Sequence, residues 1–462
     1  MDQAALFESP ATPETAPTPP QAPADRPESP PSGLPRLRVA QRDQVVIRML
    51  ALDQMLPADD EARVVWAFVE QCDLTPLYQP IRAVEGHAGR DATDPKILLA
   101  LWLFATLKGV GSARELDRLC AQHLSYQWLC GDVSLNYHTL ADFRVAHGDV
   151  LDRLLTEQVA SLMHAGAVTL DRVAQDGMRV RASAGKASFH RRETLQECLA
   201  AAEEQVERLK AELADDPAAA RRRETAAKQR AGAERVTRVT AALEACAEVQ
   251  RNKEQRGGDS LKNPARASST DPDARTMKMA DGGFRPAFNV QFATDTASQV
   301  IVGVDVINQG TDAGQLAPMV EQIEQRTGVR PPEVLADGGF CTKDDIEQLN
   351  VPEQGRKVYT PVKEETQQRA KGQDPFAPRA GESPELTEWR TRMGSAAART
   401  IYKERASTAE CVNALARQRG LTQFRVRWLA KVRTIALWFA LSHNLRRWGV
   451  LRAALAARPT SR

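Results

Sequence analysis

The chain has 462 residues, and its 62 lysines and arginines nearly balance its 60 aspartates and glutamates. This length accommodates two or three domains, each with a core, and the charge balance means that any affinity for nucleic acid must come from local charge. Seven scattered cysteines without a CxxC pair argue against a disulfide framework or a cysteine zinc site, and favour a reducing, intracellular setting.

The sequence shows neither the pattern of a signal peptide nor an apolar run long enough for a transmembrane helix. The first residues lack the basic and then apolar pattern of a signal peptide. Residues 1–35 are rich in proline, alanine, threonine and glutamate, which predicts a disordered leader, dispensable rather than functional. The longest apolar run, Ile97 to Leu107, is too short to span a bilayer and indicates a buried helix.

Residues 36–165 have the periodicity of a helical domain. Asp94 and Pro95 are typical of the cap and the first residue of a helix, which we expect to be central because it is apolar almost all round. Ser112 and Glu115 fit a capping box that opens another helix. Short helices joined by tight turns suit a DNA-binding helix-turn-helix domain and a plain helical support equally well. The helix that follows the capping box is predicted over Ala113–Cys120, and two further helices are predicted over Thr139–Arg144 and Val150–His164.

Two later segments, Val173–Gly177 and Val334–Gly339, are short apolar runs that end in an aspartate followed by glycine. Each predicts a strand whose last residue, Asp176 or Asp337, presents its carboxylate at the sheet edge before a tight turn. Taken singly, such an aspartate is more often a turn or cap residue than a ligand.

Residues 190–255 separate the first of these segments from the rest of the sheet. Leucine, valine and alanine recur there at heptad spacing, interrupted at Asp215–Pro217, which predicts a helical hairpin inserted in another domain. Its mixed charges favour a structural arm over a dimer contact or a grip on DNA.

The remaining chain alternates strands and helices, which predicts a mixed α/β sheet with helices on its faces. We expect the strand Phe288–Phe292 to be half-buried and to form a hairpin with the next strand through the polar turn Asp295–Ser298. We also expect a polar loop over Lys363–Gly394 and a capping role for Thr311 or Asp312. The predicted strands are Phe288–Phe292, Val300–Ile307, Val334–Ala336 and Lys357–Val362, and the predicted helices are Ala313–Arg326, Lys343–Leu349, Glu410–Leu421 and Val432–Trp448.

Glu410 is the third carboxylate of interest. We expect Ser407 to begin its helix, so that Glu410 could simply complete a capping box. No acidic residue occurs from Cys411 to Arg433, and such a basic run suits a phosphate backbone, although a solvated basic face is the simpler reading for the run alone. The candidate DNA-binding residues are Tyr402, Arg405, Arg417, Arg419, Arg425, Arg427 and Lys431. Asp176, Asp337 and Glu410 together suit a magnesium site for phosphoryl transfer.

Segments from about Arg42 to Trp448 resemble the DDE transposases of bacterial insertion sequences, whose catalytic domain is RNase H-like. Asp176-Gly177 and Ala336–Phe340 resemble the segments of the family's first and second catalytic aspartates, and Phe288–Gln291 resembles the lead into its second strand. Tyr402, Arg405, Glu410 and Arg417 resemble its tyrosine, arginine, glutamate and lysine signature. Further resemblance lies in Pro95–Leu101, Gly111–Leu116, Thr139–Arg144, Ser269–Ala274 and Met277-Lys278.

Two residues depart from the family pattern. Met178 stands where threonine is frequent, and Arg417 stands where lysine is usual, so the charge remains without the compact ammonium group. Neither departure removes one of the three carboxylates.

The resemblance implies a transposase that cuts and joins the ends of its own element. Asp176, Asp337 and Glu410 would hold two Mg²⁺ or Mn²⁺ ions roughly 3.5–4 Å apart. Double-stranded DNA, from element ends and target, is the implied partner, together with a second copy of the chain, in the cytoplasm at the nucleoid. The implied domains are a helical DNA-binding domain (36–165), a catalytic domain (166–450) and a basic tail (451–462).

Two other readings remain open from sequence. One is a domesticated DNA-binding protein that keeps the fold without cleaving DNA. The other is a helical scaffold protein that associates through the arms between residues 190 and 255 and has no affinity for DNA.

Overall fold

The computed structural model describes residues 49–83, 86, 91–215, 222–257, 262–340 and 342–456. The expected leader, residues 1–35, lies outside these ranges. The described residues from Ala51 onward form one compact unit. None of the helices in the described ranges is both long enough and apolar enough to cross a membrane.

The first part of this unit is helical, as predicted. Asp94 accepts a hydrogen bond from the backbone N–H of Lys96 (2.9 Å), and Ser112 accepts one from the N–H of Glu115 (3.4 Å), so both expected caps are confirmed. The helices are α1 (Leu52–Met55), α2 (Glu61–Gln71), α3 (Thr75–Tyr78), α4 (Pro95–Leu107), α5 (Ala113–Gln122), α6 (Leu124–Cys130), α7 (Tyr137–Ala146) and α8 (Gly148–His164).

A mixed sheet follows, built from six of eight described strands: β1 (Arg172–Arg181), β2 (Phe189–His190), β3 (Ala267–Ser268), β4 (Arg275–Lys278), β5 (Phe284–Asp295), β6 (Ile301–Ile307), β7 (Glu333–Leu335) and β8 (Lys357–Tyr359). β1 is the centre: it pairs antiparallel with β5 and parallel with β7, which in turn pairs parallel with β8. β4 and β6 both pair antiparallel with β5, and β2 and β3 form a separate ladder. This is the RNase H-like α/β arrangement expected from the sequence.

Two long helices leave the sheet between β2 and β3, and they confirm the predicted helical hairpin. They are α9 (Arg192–Asp215) and α10 (Arg222–Arg256). Leu195 and Ala202 of α9, with Val239 and Ala242 of α10, are buried along their contact. Gly232 permits close approach, because a Cβ there would lie 3.2 Å from the Val206 side chain.

The other helices are α11 (Leu316–Thr327), α12 (Lys343–Leu349), α13 (Glu365–Ala370), α14 (Pro384–Met393), α15 (Ala396–Arg405), α16 (Cys411–Gln418) and α17 (Leu429–Ala456). α17 is central, because residues 434–445 are all buried between α4, α7 and α8 on one side and β6 on the other. Its polar groups bond both sides: Trp438 donates to the Arg144 carbonyl (2.9 Å), and Asn444 donates to the Ile301 carbonyl (2.8 Å). The helix runs to Ala456, so residues 451–456 are helical rather than a separate tail.

Three sequence predictions about the sheet are wrong. β1 does not end at Asp176; it continues to Arg181, because β5 pairs with it along its length. β5 is not half-buried: Phe288 and Phe292 lie in the main core, where Phe292 contacts Phe439 of α17, and Asn289 and Gln291 bond the buried Asp312. Asp312 therefore caps no helix, and α11 begins at Leu316 rather than Ala313.

Two predictions about the last third of the chain are also wrong. The stretch Lys363–Gly394 is not a loop: α13 and α14 lie within it, and Leu386 and Trp389 are buried against β8 and its neighbours. Ser407 does not begin a helix, because α15 already runs from Ala396 and a π-helical turn, Ala406–Glu410, joins it to α16.

Candidate active site

Asp176 lies in the middle of β1, and its side chain is only 17% exposed. Its Oδ1 accepts a hydrogen bond from the N–H of Gly177 (2.9 Å), and its Oδ2 accepts one from the side-chain amide of Asn413 (3.1 Å). The Arg405 guanidinium lies 3.6 Å from the same Oδ2. A central strand and the α15–α16 pair therefore meet at this carboxylate.

The electrostatics around Asp176 reflect this enclosure. Burial raises the pKa of Asp176 to about 6, the Arg405 charge opposes that shift, and the nearby Asp337 charge adds to it. A buried carboxylate whose pKa is raised further by a neighbouring carboxylate forms a site that a cation stabilises.

Asp337 follows β7, as the sequence predicted. β7 lies parallel to β1, with Leu335 opposite Ala174, so the chain leaves β7 beside Asp176. A tight turn begins there: the N–H of Gly339 donates to Asp337 Oδ1 (2.7 Å), and the N–H of Phe340 donates to the Asp337 carbonyl (3.2 Å). The turn fixes the carboxylate at the sheet edge.

Glu410 ends the π-helical turn, and its side chain is half exposed, at 50%. It forms an ion pair with Arg405 rather than reaching back to the backbone, and Ser407 donates to the Glu404 carbonyl (3.0 Å), so the capping-box reading of Ser407 and Glu410 is wrong. π-Helical turns are frequent at functional sites, since they shift side chains relative to a regular helix.

Tyr402 and Arg405 complete this cluster. The Arg405 guanidinium lies 5.8 Å from the centre of the Tyr402 ring. Burial raises the pKa of Tyr402 against the effect of Arg405, and the charges of Asp337 and Glu410 add to the rise. Burial opposes the charge of Arg405, yet Tyr402, Asp176 and Glu410 raise its pKa overall. Arg405 therefore supplies positive charge between two of the three carboxylates.

A second arginine joins the strands and the helix that carry the candidate site residues. Arg172, at the start of β1, bonds Glu333 of β7 (2.7 Å from Nε) and Glu404 of α15 (2.7 Å from Nη1). This half-buried triad connects the two aspartate strands to the helix that precedes Glu410.

The donor set fits a hard divalent cation. Carboxylate and amide oxygens are the ligands that Mg²⁺ and Mn²⁺ prefer, and the Oδ1 of Asn413 is buried beside Asp176 without a hydrogen-bond partner among the described residues. Within the residues that the structure describes, no group of three His, Cys, Asp or Glu side chains is already arranged to hold a metal ion. Glu410 bonds Arg405 instead, so the ion pair must open for Glu410 to share an ion with the aspartates.

The structure divides the basic candidates among several places. Tyr402 and Arg405 adjoin Asp176. Arg417 lies near the end of the next helix, α16, beside a groove next to Gly177. Arg419 and Arg425 line a separate cavity with Arg144, on the side of the helical region. Arg427 lies near Asp271, and Lys431 is exposed at the start of α17. The loop between α16 and α17 turns the chain, so the run does not form one surface.

Sequence reasoning missed Asn413 and the polar network behind Gly177. Asn413 lies three residues after Glu410, one helical turn on, and that spacing is the signal that could have identified it. Asn289, Gln291 and Asp312 carried no local signal, because polar residues in an apolar strand gain meaning only from the loop that packs on them.

The chain was also compared with known proteins. Residues 262–445 match a family model described as Transposase DDE domain, and residues 50–146 match one described as Transposase domain (DUF772). Together the two matches cover more than half of the chain. The chain belongs to the DDE transposases of insertion sequences. Neither the curated proteins nor the solved structures gave a significant match.

As a DDE transposase, the protein belongs to a family whose members bind DNA and generally use divalent metal ions. The DDE match includes Asp337 and Glu410 but begins after Asp176. The long helical pair, α9 and α10, separates β1 from the matched region, while the sheet restores β1 to its centre. The DUF772 match coincides with helices α1 to α7.

Proposed function

We propose that this transposase cuts DNA at the ends of its own insertion sequence and joins those ends to target DNA by phosphoryl transfer at Asp176, Asp337 and Glu410. The observation that carries the proposal is the convergence on Asp176. Asn413 and Arg405, which flank Glu410 on the α15–α16 pair, both contact the Asp176 carboxylate. Asp337 is close enough to raise the pKa of Asp176.

The three carboxylates would hold Mg²⁺ or Mn²⁺, which when bound activates the attacking oxygen and stabilises the leaving oxygen in an in-line displacement. The chain's own groups fix the ligands. Asn413 and the Gly177 N–H orient Asp176, and the Gly339 N–H orients Asp337. No covalent protein–DNA intermediate is needed.

Tyr402, Arg405 and Arg417 position DNA rather than take part in bond making. Their spacing with Glu410 supports membership of the branch with the tyrosine, arginine, glutamate and lysine signature, with Arg417 in the place of lysine. An arginine there offers a planar fork that binds two phosphate oxygens at once. Arg419, Arg425, Arg427 and Lys431 extend contact with DNA away from the carboxylates.

The rest of the chain takes supporting roles in this proposal. Residues 36–165 recognise the element ends, and residues 166–450 form the catalytic domain. Two copies act together, since two ends must be joined in one reaction. The reaction takes place in the cytoplasm, at the nucleoid.

The test is cleavage and joining of a duplex that carries the element end, measured with Mg²⁺ and with EDTA. We expect the intact protein to produce both products only with Mg²⁺, and Asp337→Asn to produce neither while still binding the duplex. The matched control is Asp344→Asn, which removes an exposed carboxylate seven residues away on α12. Equal cleavage by Asp337→Asn and the intact protein would refute the site. Binding without cleavage by the intact protein would refute the activity.

A further inference from the structure

A groove of about 640 Å³ opens beside Gly177, the residue that follows Asp176 on β1. We call it the Gly177 groove. The strand β1, the β4–β5 hairpin and the end of α16 form its walls. Its charged lining is one-sided, with five cations and a single acid: Arg179, Arg181, Lys278, Arg285 and Arg417, against Asp281.

Two of these cations are already paired. Arg285 bonds Asp281 (2.6 Å), so that pair adds no net charge. Arg179 lies 3.2 Å from the buried carboxylate of Asp312. In the described parts of the chain, the other three cations, Arg181, Lys278 and Arg417, form no ion pair, and all three are exposed. The groove therefore presents three uncompensated positive charges to solvent.

Arg179 is held in the wall by a network behind Gly177. Its Nη2 donates to the Gly310 carbonyl (3.0 Å) as well as to Asp312. Asp312 in turn accepts hydrogen bonds from Asn289 (2.6 Å) and Gln291 (2.7 Å). A guanidinium fixed in this way loses little conformational entropy when an anion binds.

The groove is connected to the carboxylates through one helix. Arg417 lies on α16, seven residues after Glu410, which ends the π-helical turn that leads into α16. The two residues are therefore about 10 Å apart along the helix axis. That separation is small enough for one bound strand to contact the groove and the carboxylates within a few nucleotides of each other. The volume of the Gly177 groove falls within the roughly 300–1,000 Å³ of small-ligand sites. A groove of this size accommodates a few nucleotides of one strand and not a whole duplex.

We propose that the Gly177 groove binds the phosphodiester backbone of one DNA strand, within a few nucleotides of the phosphate that is cut. Arg181, Lys278 and Arg417 contact phosphate oxygens, and Arg179 forms the fixed wall. These contacts are independent of base sequence. The distance to the cut rests on the proposed function, whereas binding of the backbone does not.

The experiment measures binding of the full-length protein to an element-end duplex and to an unrelated duplex, in EDTA, across a series of salt concentrations. The variant is Arg181→Gln with Lys278→Gln. Each lost phosphate contact lowers the slope of log affinity against log salt by about 0.9, so we expect a decrease of about 1.8. Affinity should fall by the same factor for both duplexes. The matched control, Lys210→Gln with Arg251→Gln, removes the same two charges from the exposed surface of α9 and α10.

A second measurement locates the contact. Neutral methylphosphonates replace single phosphates in the element end, and the one that weakens binding to the intact protein should have no effect on the variant. Arg181→Lys with Lys278→Arg keeps both charges and should keep the slope, which separates charge from misfolding. An unchanged slope in the glutamine variant, or an equal decrease in the control, would overturn the proposal. Asp337→Asn should keep the full slope, so a failure of the groove and a failure of the cleavage site are distinguishable.

Discussion

The side-chain amide of Asn413 donates a hydrogen bond to Asp176 across 3.1 Å, although the two residues lie 237 positions apart in the chain. This contact joins the helix that carries Glu410 to the central strand of the sheet. It fixes one oxygen of the Asp176 carboxylate, whose pKa burial raises to about 6.

We predict that Asn413→Ala slows strand cleavage by about 10- to 100-fold in single-turnover conditions, because a hydrogen bond to a charged group contributes about 1.5–3 kcal/mol. The half-maximal Mg²⁺ concentration should rise, since Asp176 loses its orientation. Affinity for the element end in EDTA should not change. Gln418→Ala, at an exposed position on the same helix, is the control. A slower rate with an unchanged Mg²⁺ requirement would mean that Asn413 has only a structural role.

Gly177 cannot carry a side chain in this fold. A Cβ at that position would lie 2.2 Å from Asp312 Oδ1 and 2.6 Å from Gln291 Nε2, both of which are buried and hydrogen-bonded. We predict that Gly177→Ala lowers the free energy of unfolding by about 1–3 kcal/mol, as overpacking does. Urea denaturation measures the effect. Gly185→Ala, where nothing lies within 4 Å of the added atom, should be nearly neutral. Equal stability of the two variants would contradict the packing seen behind Gly177.

Some of this site could be predicted from sequence because its signals are local. Asp337 follows an apolar run and precedes two glycines, and both the strand and the turn are present. Asp94 and Ser112 cap their helices as expected, because a cap depends on the next three residues alone.

The other features of the fold and the site could not be predicted from sequence, because they depend on tertiary contacts. The pair Asp176-Gly177 is typical of a turn, but Gly177 lies within β1 because β5 pairs with the strand there. The network around Asp312 also leaves no room for a side chain at this position. Trp389 lies in a polar stretch, yet it is buried in a helix because β8 provides an apolar surface. Glu410 fits a capping box in sequence, but the helix that precedes it does not end.

Asp271 and Asp273 cap the central helix. Asp271 accepts a hydrogen bond from the N–H of Trp428 (3.1 Å), and Asp273 accepts one from the N–H of Leu429 (2.8 Å). Burial raises the pKa of Asp271 to about 6, against its ordinary value of 3.8, with the Trp428 bond opposing that shift. The resulting stabilisation is complete below the unfolded pKa and is lost as pH rises through about 6.

We therefore predict that Asp271→Asn removes a pH-dependent part of stability. The wild-type protein should lose on the order of 1–3 kcal/mol of unfolding free energy from this group between pH 4 and pH 8. The variant, which can still accept the Trp428 bond, should lose less over the same range. Urea denaturation across that range measures both curves. Parallel curves would show that Asp271 does not titrate there.

The central claim is that Asp176, Asp337 and Glu410 bind metal as one site, although Glu410 bonds Arg405 in the structure. Direct titration of Mn²⁺, followed by electron paramagnetic resonance without DNA, tests it most directly. We predict that Asp337→Asn and Glu410→Gln each weaken Mn²⁺ binding, while Asp344→Asn binds like the wild-type protein. Wild-type affinity in the Glu410→Gln variant would contradict a shared site and leave Glu410 as the partner of Arg405 alone.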